Sequence, residues 1–105
     1  MPQVRVTMAV AQVLAAFLVD PSRPCYGYDL MRRTGVRSGK LYPILARLER
    51  AGWLIRERED APADGRPPRR RYRLSPEGNA AARAEVAPLR ERTAWPRPRL
   101  EGGGL

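Results

Sequence analysis

Histidine is absent from this chain of 105 residues, and cysteine and lysine occur once each, as Cys25 and Lys40. Without histidine there is no Ser-His-Asp or Cys-His arrangement for nucleophilic catalysis, and no His/Cys cluster to hold a metal. A single thiol cannot close an internal disulfide, so nothing points to an oxidising compartment, and Cys25 is left as an inert or redox-sensing group. Glycine-rich phosphate loops are missing as well. "GRPP" and the terminal "GGG" lack both the strand-loop-helix context and the Lys-Ser/Thr that would follow. Long apolar runs are also missing: residues 8–19 are interrupted by Gln12 and are too short for a hydrocarbon core of about 30 Å. Only Arg5 precedes that run, and no cleavage site of small residues is evident, so no signal peptide is read. The expectation is a soluble cytoplasmic protein that is not an enzyme, carries no cofactor or metal and does not enter a membrane.

What the chain has in excess is positive charge. Twenty basic residues face 11 acidic ones, a formal charge of +9, and 19 of the 20 are arginine. The planar guanidinium suits phosphate oxygens and guanine edges, so the balance steers the chain toward polyanions: nucleic acid first, an anionic membrane surface second. Arginine enrichment from a GC-rich genome gives the same composition with no partner at all. Position along the chain has to separate these readings.

The length suits one domain with one small core. Thr7 caps a first helix over 8–19 that is apolar nearly all round, so burial on more than one side is predicted, with another subunit as a natural cover. Prolines 21 and 24 end it. A short second helix spans 26–35, stopped by Gly35. The third helix starts from Ser38 as cap and repeats Leu41, Ile44, Leu45 and Leu48 on one face; Pro43, Arg47 and Arg50 lie opposite, with Lys40 and Tyr42 on the flanks. Pro43 is tolerable because it sits near the N-terminal end, where about one intrahelical bond is at stake. Residues 53–60 and 69–74 read as two strands joined by an irregular tip. Ser75 then caps a last helix, with Pro76 at its first position and Glu77 in its first turn; at Pro88 it kinks or stops. The domain is expected over 1–94, with its C-terminal helix from about 76 and a disordered tail over 95–105.

The predicted fold is therefore mainly α with a small β-hairpin: a winged helix-turn-helix of three helices, a two-stranded wing and a C-terminal helix. In that arrangement the third helix enters the major groove of double-stranded DNA and the wing reaches along the backbone or into the adjacent minor groove. The basic residues concentrate where this geometry would use them. Arg37, Ser38, Lys40, Tyr42, Arg47 and Arg50 belong to the third helix and its entrance, and Arg66, Arg69, Arg70 and Arg71 to the wing. Arg69, Arg71 and Arg73 share a strand face opposite Tyr72, so only part of that run can meet DNA at once. Tyr26, Tyr28, Leu30, Leu41, Leu45, Leu48, Leu54, Tyr72 and Leu74 read as core, and Gly27 as a point of close helix contact.

Three stretches, "YGYDLMRR", "SGKLYPILARLERAGWL" and "GRPPRRRYRLSPEG", resemble in order and spacing the N-terminal domain of PadR-type bacterial transcriptional regulators. The resemblance covers roughly residues 8–80 and includes Pro43. It implies a homodimer, usually a repressor, on a palindromic operator, in many members released by an effector. The short chain after Gly78 is similar to the short subfamily, in which the first and last helices build the dimer. By the same resemblance Trp95 would face a flat hydrophobic or phenolic small molecule, although Pro88 and Pro96 bracket it and a tail or packing role is the simpler one. The competing reading is a winged-helix module for protein–protein docking whose basic wing meets an acidic partner.

Overall fold

The first helix begins where its cap was expected. In the computed structural model, which describes residues 4–58, 65 and 70–92, Thr7 Oγ1 accepts from the Val10 amide at 3.3 Å and α1 runs over Met8–Leu18. Its buried residues, Val10, Ala11, Val13, Leu14, Ala15, Ala16 and Phe17, go right round the helix. The cover comes from within the chain: α1 packs against α2 and α4. Each fully buried Val, Leu or Phe contributes roughly 1.5–3 kcal/mol of burial free energy. Little of α1 is left for a partner, with Met8 and Val19 its exposed large apolar ends.

The order of elements is α1, β1 (Cys25–Tyr26), α2 (Gly27–Thr34), α3 (Ser38–Arg50), β2 (Leu54–Arg58), β3 (Arg70–Leu74) and α4 (Pro76–Arg92). Strand β1 is an addition, not foreseen in the sequence, beside the two-stranded wing of β2 and β3. The sheet has three strands in the order β1-β3-β2, with Cys25 opposite Tyr72 and Tyr26 opposite Arg71. Pro24 disfavours helix in the residue before it, and Tyr26 is extended at φ −80°, ψ 154°. The short extended piece gives its backbone groups to the free edge of β3 before α2 begins at Gly27.

Helix α2 ends at Gly35 in the left-handed region, and the turn is tied by the Val36 amide donating to Thr34 Oγ1 at 3.1 Å. The cap of α3 is Arg37, not Ser38. Arg37 has the extended backbone of a cap but makes no side-chain cap bond. Its carbonyl starts the ladder, accepting from Leu41 at 2.8 Å, and this leaves Ser38 as the first helical residue. Leu41, Ile44, Leu45 and Leu48 are buried as predicted, and α3 continues through Pro43. It closes in a Schellman arrangement, Trp53 N–H to Leu48 carbonyl at 2.9 Å and Gly52 N–H to Glu49 carbonyl at 3.0 Å.

Ser75 joins the sheet to α4. Its amide donates to the Trp53 carbonyl at 3.0 Å, its hydroxyl donates to the Gly52 carbonyl, and the same oxygen accepts from the Gly78 amide at 2.9 Å. Gly78 has no room for a side chain: a Cβ there would lie 1.9 Å from the Trp53 carbonyl oxygen. Helix α4 neither stops nor breaks at Pro88 but runs on to Arg92. Ala82 and Val86 are buried where α4 packs against α1, and the lost donor at Pro88 costs one bond in the exposed last stretch. Trp95, the tail at 95–105 and most of the hairpin tip lie outside the described residues.

Candidate nucleic-acid interface

The buried stripe of α3 fixes which of its side chains face out. With Leu41, Ile44, Leu45 and Leu48 turned inward, Arg37, Ser38, Lys40, Tyr42, Pro43, Arg47 and Arg50 are all exposed. Four cations therefore share the outer side of one element and its entrance. Tyr42 is held in place. Although 45% exposed, its ring lies over Gly27 at the start of α2, where an added Cβ would come within 2.5 Å of the hydroxyl. The close contact read into Gly27 is thus with α3, through a tyrosine rather than through backbone.

The hairpin register sorts the wing arginines. Alternate residues of a strand point to opposite faces, and Leu54 pairs with Leu74, Arg56 with Tyr72 and Arg58 with Arg70. The face that buries Leu54, Tyr72 and Leu74 at its root therefore carries Arg56 and Arg70 further out. The opposite face carries Glu57, Arg71 and Arg73. There Arg73 Nε donates to Glu57 Oε2 at 3.2 Å, and Arg71 Nε lies 3.4 Å from Glu57 Oε1 without an aligned hydrogen bond. Exposed ion pairs of this kind contribute about 0–1 kcal/mol each. Their effect is to tether two of the arginines to one carboxylate. Arg70 is exposed at the start of β3; Arg66 and Arg69 lie outside the described residues.

Arg56 and Glu57 are neighbours in sequence but point to opposite faces of β2. Arg56 reaches Glu49 of α3, Nε to Oε2 at 3.4 Å, while Glu57 turns to the other face. Neither Arg56 nor Glu49 was singled out beforehand; strand parity at 54–58 could have placed Arg56 on the Leu54 face, but no sequence signal pairs it with Glu49. Tyr72 shares its face of the hairpin with Arg56 and Arg70. Burial pushes its hydroxyl up from the ordinary value, Arg56 and Arg70 pull it down, and Glu49 and Tyr42 push it up. Helix α3 and the Arg56/Arg70 face of the hairpin adjoin where Arg56 meets Glu49.

Two aromatic and thiol assignments also resolve. Tyr28 is not core: it is 63% exposed, with the Arg32 guanidinium 5.5 Å from its ring centre, one turn further along α2. Cys25 is buried, and burial is the main cause raising its thiol above the ordinary value; Arg33 opposes this. Among the described residues no group of three or more His, Cys, Asp or Glu could hold a metal, and no helix is long and apolar enough to cross a membrane.

Residues 16–84 match the model of the transcriptional regulator PadR-like family. No curated protein matches the chain in sequence. Among solved structures, a PadR-like transcription factor from Bacteroides fragilis is 26% identical over 80% of this chain and 84% of its own, with a TM-score of 0.63. The PcaV transcriptional regulator of Streptomyces coelicolor, solved with its natural ligand, is 27% identical over 82% of this chain and 59% of its own, with a TM-score of 0.65. BpsR of Bordetella bronchiseptica, whose DNA binding is regulated by 6-hydroxynicotinic acid, shares the fold at 24% identity and a TM-score of 0.66; the chain covers 64% of its length.

Proposed function

This chain belongs to the transcriptional regulator PadR-like family, and from that membership we propose a homodimeric repressor that binds a palindromic operator in double-stranded DNA. Each protomer lays α3 in a major groove, the two about one helical turn apart. Lys40 and Arg47 read base edges, Arg37, Ser38, Tyr42 and Arg50 hold the flanking backbone, and Arg66, Arg69, Arg70 and Arg71 bring the wing to phosphates. The observation that carries this reading is the exposed basic side of α3, with the Arg56/Arg70 face of the hairpin packed beside that helix through the Arg56–Glu49 contact. That the protein works in the cytoplasm follows from the same proposal.

The test is a gel shift. On random duplex at low salt a complex is expected, and its affinity should fall steeply as salt rises, by just under one power of salt concentration per neutralised phosphate. Once genomic pull-down has yielded an operator, Arg47→Gln should cost about 1–3 kcal/mol on it and relax discrimination at one base pair. A protein that binds no duplex at low salt would leave the docking-module reading in its place. An effector is proposed to act through Trp95; a neighbour in fold, PcaV, is solved with its natural ligand. Titration with flat phenolic or cationic compounds should then quench Trp95 emission above the Trp53 background.

A further inference from the structure

Two basic groups on the hairpin differ in how free they are. On one face Arg71 and Arg73 share Glu57. On the other face Arg70 is exposed and Arg56 is its diagonal neighbour across the strands, since Arg56 pairs with Tyr72 and Arg58 with Arg70. This second face looks toward α3, because Arg56 touches Glu49 there. Glu49 is the one acid in "SGKLYPILARLER", so it stands on the very element proposed to approach DNA.

The contact itself is loose. At 3.4 Å from Nε it is longer than the roughly 2.7–2.9 Å of a well-formed charge-assisted bond. The side chains remain 43% and 35% exposed, so little desolvation holds them together. A phosphate arriving at the junction of hairpin and helix offers Arg56 a stronger acceptor and places a second negative charge beside Glu49. We propose that Arg56 and Arg70 form a phosphate-binding pair at the junction of the hairpin and α3, and that Glu49 is an internal counter-ion which Arg56 leaves when DNA binds. Glu49 thereby lowers the affinity for duplex of any sequence, since a phosphate contact carries no sequence information. The proposal rests on the DNA-binding reading above and adds to it two residues that work as a unit.

The experiment follows the full-length chain by fluorescence anisotropy on random-sequence duplex across a salt series. Arg56→Gln and Arg70→Gln should each lower the slope of log affinity against log salt by about one, whereas Arg73→Gln, on the Glu57 face, should lower it by less. Arg56→Lys, which keeps the charge, should keep the slope. Glu49→Gln should tighten binding roughly two- to fivefold, the scale of an exposed ion pair, and by more than Glu85→Gln on the exposed side of α4. In an Arg56→Gln background that gain should vanish, because Glu49 acts through Arg56. Far-ultraviolet circular dichroism confirms that each variant is folded. A wild-type protein that binds while Arg56→Gln keeps its slope, or a Glu49→Gln gain that survives without Arg56, overturns this proposal alone. A wild-type protein that binds no duplex overturns the DNA-binding reading together with it.

Discussion

Gly78 carries more of the fold than its size suggests. Its Cα lies against the Trp53 backbone, and a methyl group there would meet a carbonyl oxygen at 1.9 Å, an obstacle of main chain rather than of a side chain able to swing away. Gly78→Ala is therefore expected to cost about 3 kcal/mol or more, read as a fall in melting temperature of roughly 10–20 °C for a chain of this size. Cys25 makes a second residue-scale prediction. Its thiol is raised by burial, so at alkaline pH the unfolded chain gives up this proton while the folded one keeps it. Stability then falls as pH rises above the ordinary thiol value toward the raised folded value. Denaturant titrations should show that slope flattened in Cys25→Ala, and the native thiol should react slowly with a thiol reagent at pH 8 until the protein unfolds. The core residues of α3 were legible from spacing because a helix repeats every 3.6 residues. Tyr28 was misread because an aromatic beside other aromatics suggests burial, whereas the Arg32 guanidinium one turn on gives its ring a partner at the surface.

Among elements, α4 offers the sharpest test. It passes through Pro88, so restoring a donor there should lengthen or firm its end. Pro88→Ala is expected to raise helicity in the far ultraviolet and to stabilise by about 1–3 kcal/mol; an unchanged spectrum would mean that the stretch beyond Val86 adds nothing in solution. Helices and hairpin were readable from caps, glycines and period, and Thr7, Gly35 and Ser75 all act where their chemistry put them. Strand β1 was not readable. Two residues hold no pattern, and Cys25–Tyr26 became strand only because β3 had an edge to pair with. The partners of the charged hairpin residues were equally hidden. In the sequence Arg56 and Glu57 are neighbours; in a pleated strand they face apart, and only the register assigns Arg56 to Glu49 and Glu57 to Arg71 and Arg73.

At the scale of the molecule, α1 bears on how two copies would meet. The sequence left α1 as an apolar rod with another subunit as its natural cover, but the chain's own α2 and α4 already cover most of it. A dimer must therefore rest chiefly on the outer side of α4 and the ends of α1. The expected outcome is a melting temperature that rises with protein concentration, paired with a sedimentation mass of two chains at micromolar concentration; a concentration-independent melt with monomer mass would end the homodimer proposal. One junction sets how such an assembly can move. Through Ser75, the root of the hairpin and the first turn of α4 are fastened at Trp53, Gly52 and Gly78. No slack residue lies between Leu74 and Pro76 to serve as a pivot. Whatever rotates the last helix must carry the hairpin with it as one lever, and the sweep grows along β2 and β3 with distance from the fastening.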